Sequence, residues 1–420
     1  MKVASFVHHC EFDVPGNVYK NAIVLGDVDN DNDIELVVGN MEGDLYIFKG
    51  QRQIQKISGL GIITAIGIGD LMNCGSNTLI VICGDGWCHI YLCLKLCKSE
   101  LADECIVKLE PVHVQRIPAN TKEVLLGDID GDGFIELIVG LTDRVIRSYR
   151  WAQSAAAGRL VPLHKWECAN QIGSMILNKD NEGRPCLLVS QPGATAMRIY
   201  CPTTHSDLIE STIKLKNFQS MELRNPSISS EIIGNLKLDG CSECDPNNLT
   251  GSFCAISTLD GILMLVKEQV VLWSKKIDQQ LFCLKKLSLT DDGPDYLISC
   301  SWNGDTYIVD QQGHIVMFQL GESVTAFCSG MYTIKSNEKP VPCFVFITFN
   351  HKVFIYYDIK LPKSNLQSLS RYIENDSELL KYMEKMNIYS STDRKKLIDA
   401  CLYKYFINCS KNDSEKNDKI

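Results

Sequence analysis

Pairs of short apolar runs, each pair joined by a tight polar turn, recur along most of the chain. Two apolar runs separated by such a turn predict a β-hairpin. Several of the turns contain a glycine, which suits the positive φ that a tight hairpin turn requires. The seven hairpins begin at Glu35, Leu79, Glu136, Leu187, Cys254, Leu297 and Phe344.

A further apolar run precedes each hairpin, as in "AIVLGD" before the first and "EVLLGD" before the third. Each repeat therefore supplies about four strands over roughly 40–60 residues, which is the size of a propeller blade. Because closing the repeats into a ring removes their exposed edges, we predict an all-β fold in which residues 1–360 form one seven-bladed β-propeller. The N-terminal segment "VASFVHHCEF" is expected to close the seventh blade. Two stacked β-sandwiches are the alternative.

Three polar segments interrupt the repeat and are expected to be mobile loops. They cover residues 98–118, 202–226 and 237–252. After residue 360 the apolar residues recur at helical spacing, which predicts a short C-terminal helical extension over residues 361–408. Ser377 and Thr392 are suitable N-caps for two of its helices. The polar residues 409–420 are expected to form a disordered tail.

The composition narrows the class of protein. Of the 420 residues, 45% are hydrophobic, which allows a large core, and the net charge of -9 argues against nucleic-acid binding. No apolar run reaches the roughly 18 residues of a membrane span, and the N-terminus lacks the apolar core of a signal peptide. The 19 cysteines are odd in number and often lie in apolar strands. Reduced thiols in a cytosolic protein are therefore expected.

Two of the polar loops carry acids at positions 1, 3, 5 and 9, and a residue at position 7 that offers its main-chain carbonyl. In "DIDGDGFIE" of the third repeat these residues are Asp128, Asp130, Asp132, Glu136 and, at position 7, Phe134. In "DVDNDNDIE" of the first repeat they are Asp27, Asp29, Asp31, Glu35 and, at position 7, Asp33. Position 6, where the loop turns sharply, holds Gly133 or Asn32, which tolerate left-handed backbone.

Acids this close repel one another, and the usual remedy is a hard cation such as calcium, which takes six to eight oxygen ligands. A structural calcium ion is therefore expected at both loops. The alternative is a solvated acidic turn that is held by hydrogen bonds and needs no ion. The corresponding loop of the second repeat keeps Asp70 but has Met72 and Cys74 at positions 3 and 5.

The two acidic loops and the strands that follow them resemble the FG-GAP repeats of integrin α subunits. The pattern departs at the ninth position, where this chain has Glu35 and Glu136. Over nearly its whole length the chain resembles the integrin-alpha FG-GAP repeat-containing protein 2 family. The stretches that carry this resemblance include "GDVDND", "IPANTK", "LTDRVIR", "VSQPG", "DQQLF" and "FITFN".

The resemblance implies a non-enzymatic scaffold subunit of the KICSTOR complex. Such a subunit would be cytoplasmic and associated with the lysosomal membrane through its complex. The implied partners are kaptin, SZT-type and other KICSTOR subunits, and the GATOR-type GTPase-activating complex that they help to recruit. The implied role is to restrain TOR signalling when amino acids or glucose are scarce.

The residues by themselves indicate only a cytosolic propeller scaffold. No Walker-type "GxxxxGK" and no "GxSxG" occurs, so no phosphate-binding loop or nucleophile elbow is indicated and we expect no enzyme. Two alternatives stay open. One is a calcium-dependent adhesion-type propeller resembling integrin α subunits, and the other is an enzyme whose site lies in the central channel.

Overall fold

The strands in the described part of the chain form seven separate sheets, which are the seven predicted blades. The computed structural model describes residues 2–96, 106–153, 158–180, 182–201, 213–214, 227–237, 253–267, 270–290, 293–336, 338–361 and 383. The strands all lie in the unit Met1–Lys360. The prediction of an all-β, seven-bladed propeller is therefore confirmed.

Within each blade, consecutive strands pair antiparallel, and the two N-terminal strands are added to the sheets of blades six and seven. Blade one contains β3 (Ile23–Gly26), β4 (Glu35–Gly39), β5 (Leu45–Lys49) and β6 (Arg52–Ile57); blade two contains β7 (Ile63–Gly69), β8 (Thr78–Cys83), β9 (Trp87–Leu96) and β10 (Ile106–Arg116). Blade three contains β11 (Thr121–Gly127), β12 (Glu136–Leu141), β13 (Val145–Ala152) and β14 (Arg159–Glu167); blade four contains β15 (Met175–Lys179), β16 (Pro185–Gln191), β17 (Thr195–Ile199) and β18 (Ile213–Lys214). Blade five contains β19 (Ser230–Ile233), β20 (Phe253–Thr258), β21 (Ile262–Lys267) and β22 (Val270–Lys276); blade six contains β23 (Leu281–Ser288), β24 (Asp295–Ser301), β25 (Asp305–Val309) and β26 (Ile315–Gln319). Blade seven contains β27 (Val324–Tyr332), β28 (Val341–Thr348) and β29 (Lys352–Tyr357), and the N-terminal strands are β1 (Lys2–Ala4) and β2 (His9–Asp13).

The second strand of each blade lies between two neighbouring blades, so both of its faces are buried. The strands β4, β8, β12 and β20 are buried at every residue. This explains why they read as continuous apolar runs rather than as alternating ones. The outer strand β14 instead alternates between exposed and more buried residues, because only one of its faces packs on a neighbour.

The N-terminal segment closes the ring. Strand β2 pairs antiparallel with β29, from His9 opposite Tyr356 to Asp13 opposite Lys352, which confirms the predicted closing strand. Strand β1 adds a contact that the sequence did not predict, because it pairs parallel with β26 of blade six. The same short segment thus joins blades six and seven.

The predicted loop over residues 98–118 is wrong, because Ile106–Arg116 is an outer strand of blade two. Its pairing with β9 is irregular between Pro111 and His113. A proline at an irregular position of an edge strand is tolerated, but it interrupts the residue pattern by which a strand is predicted from the sequence. Within the predicted loop 202–226, Ile213–Lys214 forms β18 and pairs with β17.

Other sequence predictions fall outside the described residues. These are the rest of residues 202–226, residues 238–252, the disordered tail 409–420 and, apart from residues 361 and 383, the helical extension 361–408. In the part that is described, no helix has the length and apolar character needed to cross a bilayer. Most of the cysteines that the structure describes are buried, and the described ones are not joined in disulfides.

Two glutamine side chains join the outer strands of blades one, two and three. Gln55 of β6 donates its amide to the Leu109 carbonyl at 3.0 Å, and the Leu109 N–H donates to the Gln55 side-chain oxygen at 2.9 Å. Gln115 of β10 makes the same pair of bonds with Leu160 of β14, both at 2.9 Å. Leu109 and Leu160 are almost fully buried, so each glutamine satisfies a main-chain donor and acceptor that water cannot reach.

We predict that Gln55→Ala lowers the free energy of unfolding by about 1–3 kcal/mol, because it leaves two buried main-chain groups of Leu109 without partners. The measurement is denaturant unfolding of the purified full-length protein. The matched control is Gln53→Ala, which removes an exposed glutamine of the same strand and should change stability by less than about 0.5 kcal/mol. Equal effects of the two variants would contradict the role given to Gln55.

Candidate functional site

Both acidic loops connect the first and second strands of their blades, as the repeat predicted. The loop of blade one runs between β3 and β4, and the loop of blade three runs between β11 and β12. The backbone is left-handed at positions 4 and 6 of both: φ is 58° at Asn30 and 71° at Asn32, and 82° at Gly131 and 89° at Gly133. The turn role predicted for Asn32 and Gly133 is thus confirmed.

The first aspartate of each loop is used to fold the loop itself. The Asp27 carboxylate accepts main-chain N–H bonds from Asp31 at 3.2 Å and Asn32 at 2.9 Å. The Asp128 carboxylate accepts N–H bonds from Gly131, at position 4 rather than 5, at 2.5 Å and from Gly133, at position 6, at 2.8 Å. These bonds fix the turn whatever occupies the space between the remaining acids.

The acids at positions 1, 3 and 9 do come together in both loops. Carboxylate oxygens of Asp27, Asp29 and Glu35 lie within 4.8 Å of one another, and the same holds for Asp128, Asp130 and Glu136. Glu35 and Glu136 are fully buried. Each accepts a main-chain N–H bond inside its loop, from Val28 at 3.0 Å and from Ile129 at 3.1 Å.

The acids at position 5 are partly exposed, whereas the two residues at position 7 differ from each other in exposure. Asp31 and Asp132 expose roughly a third of their side chains. Asp33 is almost buried, whereas Phe134 is half exposed. The predicted use of the Asp33 and Phe134 carbonyls as ligands stays a prediction.

Two basic residues that the sequence analysis missed lie among these acids. In blade one the Lys49 Nζ is 2.7 Å from Asp29 Oδ2, 2.5 Å from Asp31 Oδ2 and 2.9 Å from Glu35 Oε1. In blade three, Arg150 contacts the acids at positions 3, 5 and 9. Its Nη2 is 3.0 Å from Asp130 Oδ2 and its Nη1 is 2.8 Å from Asp132 Oδ2. Its Nε is 2.9 Å from Glu136 Oε1.

The burial of several carboxylates beside one basic group shifts their ionisation. Burial, assisted by the charge of Asp29, raises the pKa of Glu35 to about 7, and burial raises the pKa of Asp29 to about 6. Burial also raises the pKa of Glu136. Burial alone would lower the pKa of Lys49, but hydrogen bonds to the acids outweigh it and raise that pKa. The Lys49 ammonium group therefore stays charged. Burial outweighs the effect of this charge at Asp29 and Glu35, whose pKa values stay raised.

Calcium at these loops stays a prediction. The converging oxygens suit a hard cation, and the buried Asp29 Oδ1 has no hydrogen-bond partner. The carboxylates at position 1 of both loops, however, already accept main-chain N–H bonds. Oxygens of the acids at positions 3, 5 and 9 lie against Lys49 or Arg150, including Glu35 Oε1, which makes no hydrogen bond but is 2.9 Å from Lys49 Nζ. A metal ion and these basic groups cannot share one position, so the residues present do not fit calcium without displacement of the basic side chain.

A second charged cluster occupies the central channel. Lys20, before the first strand of blade one, forms an ion pair with Glu231 on the first strand of blade five. Blades one and five are not neighbours in the ring, so this bond crosses the channel. Burial and the charge of Glu231 raise the pKa of Glu123 to about 7, and its Oε2 accepts the Met175 N–H at 2.7 Å. Lys285 adds a further positive charge to this cluster.

One mouth of the channel widens into a cavity of about 570 Å³. Its lining includes Lys20 and Lys122. Both amines are engaged, since Lys20 pairs with Glu231 and Lys122 donates to the Ile172 carbonyl at 2.7 Å. Lys20 thus links blades one and five across the channel, whereas Lys122 links blade three to the segment that enters the adjacent blade four.

Comparison with known proteins places these features in a family. The family model described as "Integrin-alpha FG-GAP repeat-containing protein 2" matches residues 49–361. The KICSTOR complex protein ITFG2 of Mus musculus is 33% identical over 424 residues, covering 92% of this chain and 92% of that protein. The protein of the same name from Bos taurus is 34% identical over 403 residues, covering 89% of this chain and 74% of that protein.

A solved structure also has this fold. The crystal structure of BBS1N in complex with ARL6DN, soaked with mercury, superposes with a TM-score of 0.59. The match covers 86% of this chain and 98% of that one, at 14% sequence identity. At this identity the likeness supports the propeller fold alone.

We predict that Glu123 makes the protein less stable as the pH rises. Its pKa is about 7 in the folded state and 4.5 in an unperturbed glutamate, so between these values the folded state holds the extra proton. The folded state is therefore favoured at the acidic end of this window, and this advantage is lost as the pH rises through about 7. Glu123→Gln removes the titration. Its stability relative to the wild type should rise by about 1–3 kcal/mol between pH 5 and pH 8.

The measurement is the free energy of unfolding across that pH range. The control is Glu42→Gln, because Glu42 is exposed and lies away from the channel. It should follow the wild-type pH profile. A Glu123→Gln protein whose profile parallels the wild type would show that Glu123 does not titrate in this range.

Proposed function

Since the chain belongs to the integrin-alpha FG-GAP repeat-containing protein 2 family, we propose that it is a non-enzymatic scaffold subunit of a KICSTOR complex. The observation that carries this proposal is the extent of the match. Two relatives named KICSTOR complex protein align over 89% or more of this chain. An alignment of that length includes the whole ring rather than a few blades, so the proposal applies to the whole propeller.

The proposed activity is contact with other proteins. A closed seven-bladed ring offers two loop-bearing faces and a continuous outer edge. A stable contact to another subunit should bury more than about 1,000 Å² in total. We infer that the partners are kaptin, SZT-type and other KICSTOR subunits, and that the protein is cytoplasmic and reaches the lysosomal membrane through them.

The proposed role of the assembled complex is to help recruit the GATOR-type GTPase-activating complex to lysosomes. In that role the protein would restrain TOR signalling on amino-acid or glucose deprivation. It would act by holding the other subunits in place, because these subunits together would form the surface that recruits the GATOR-type complex. Loss of this subunit should therefore first displace the GATOR-type complex from lysosomes. Any effect on a chemical step should follow from that displacement.

We predict that cells lacking the protein keep TOR substrates phosphorylated during amino-acid starvation and fail to place the GATOR-type complex on lysosomes. Re-expression of the wild type should restore both responses. The readouts are substrate phosphorylation and co-localisation with a lysosomal marker. Gln53→Ala, an exposed substitution, serves as the control and should rescue as fully as the wild type.

Affinity purification of the tagged endogenous protein separates the two parts of the proposal. Recovery of kaptin and SZT-type subunits together with normal TOR shut-off in deleted cells would retain the complex and reject the signalling role. Recovery of neither partner, with normal shut-off, would reject both parts. The adhesion-type propeller would then be the better hypothesis.

A further inference from the structure

In both blades with an acidic loop, a basic residue of the third strand stands directly across from the ninth-position acid. Leu36 pairs with Phe48, so the preceding Glu35 lies opposite the following Lys49. Leu137 pairs with Tyr149, so Glu136 lies opposite Arg150 by the same register. We call Lys49 and Arg150 the third-strand cations. Their equivalent positions make them a repeated feature of the fold rather than two unrelated surface contacts.

Each third-strand cation sits where the acids of its loop converge. Lys49 Nζ lies within 3.0 Å of carboxylate oxygens from the acids at positions 3, 5 and 9, and its side chain is only 17% exposed. Arg150 contacts the acids at the same three positions: Nη2 faces those at positions 3 and 9, Nη1 faces the one at position 5, and Nε also donates to the one at position 9. Its side chain is 27% exposed, and its guanidinium also lies 5.5 Å from the Phe134 ring centroid. The two sites use different basic groups to contact the acids at positions 3, 5 and 9, and Lys49 Nζ additionally lies 3.7 Å from Asp33 Oδ2 at position 7.

Blade two shows what happens where the acids are missing. Its loop keeps the left-handed positions, with φ of 53° at Asn73 and 80° at Gly75. The Asp70 carboxylate still accepts the Gly75 N–H, at 2.6 Å. The ninth position is Thr78, whose hydroxyl donates to the Gly69 carbonyl at 2.8 Å.

The third-strand position of blade two is uncharged as well. Leu79 pairs with Tyr91, so the residue across from Thr78 is Leu92. Where the acids are absent the cation is absent, and the loop keeps its shape. The third-strand cation therefore occurs together with the acids of the loop, and the strand itself does not require a basic residue at this position.

We propose that Lys49 and Arg150 are the resident counter-ions of the two acidic loops and take the place that calcium would otherwise fill. A buried carboxylate without a partner is costly, and an opposite charge within about 4 Å favours its ionised form. Each cation is attached to the neighbouring strand, so its effective concentration at the site is on the order of millimolar or higher. A calcium ion would have to displace it. The loops thus keep their shape without calcium.

The test compares thermal unfolding of the full-length protein in a chelator and in about 1 mM calcium, a concentration within the range that oxygen-ligand loops can bind. The wild-type midpoint should be the same in both. Lys49→Met and Arg150→Met should each lower the midpoint in chelator by more than about 5 °C, because the buried acids lose their partner. Calcium should restore a large part of that loss, since the vacated space then accepts an ion.

The matched control is Lys56→Met, which removes the same charge from the next strand. Lys56 is 42% exposed and pairs with Asp44, away from the acidic loop. Its midpoint should not depend on calcium. Charge-preserving Lys49→Arg and Arg150→Lys keep a cation at the site, so their midpoints, even where altered by the different shape of the side chain, should not depend on calcium.

Three results would overturn the proposal. One is a wild-type midpoint that rises in calcium. The second is a pair of methionine variants as stable in chelator as the wild type. The third is destabilised variants that calcium does not rescue, which would reject the exchange of cation for metal. If a methionine variant does not fold, titration of calcium into the wild type by calorimetry decides, and measurable binding at the loops would refute the proposal.

Discussion

The ring depends on satisfying the main-chain groups that lie where one blade meets the next. Within a blade the strands pair with one another, but the buried edges between blades have no strand partner. Side-chain amides supply the missing bonds. On the outer strands Gln55 and Gln115 each hold a donor and an acceptor of the next blade. On the face with the acidic loops, Asn73 of blade two does the same for Ile135 of blade three, with bonds of 2.7 and 3.4 Å. An apolar residue at these positions would fill the space but leave both groups unpaired.

The same amide device fixes the acidic loops. Asn30, at position 4 of the first loop, bonds to the N–H of Asn77 at 2.6 Å and to its carbonyl at 3.2 Å. Asn77 in turn donates to the Asp27 carbonyl at 2.9 Å. The loop is therefore held from outside by blade two and from inside by the Asp27 carboxylate. With the backbone fixed in this way, the acids at positions 3, 5 and 9 are brought together by the fold itself. Their mutual repulsion is then a cost that a positive charge must offset, whether that charge comes from an ion or from the chain.

The parts of the fold that could be predicted are those encoded in neighbouring residues. A hairpin is specified by two apolar runs and a turn, so the seven hairpins and their order could be predicted from the sequence. The acids of each loop could also be recognised, because they lie within nine consecutive positions. The features that were missed depend on pairing between residues far apart. Gln55 forms hydrogen bonds with Leu109 of the next blade, and the N-terminal strand β1 pairs with β26 of blade six, which lies far along the chain. Lys49 became visible as a partner of Glu35 only through the cross-strand register, because nothing in the local pattern distinguishes it from any other lysine at the end of a strand.

These contacts bear on how such a protein could work as a scaffold. A contact surface keeps its affinity only if the blades that form it hold fixed positions relative to one another. Here blades one, two and three are linked by amides at the outer strands and at the loop face. Non-adjacent blades one and five are linked by the Lys20–Glu231 pair across the channel. Each of these links uses groups that belong to the chain, so none depends on a ligand that could be gained or lost as cellular conditions change. A subunit built in this way would offer the same surface in fed and starved cells, and the response to nutrients would then have to come from the proteins that it holds.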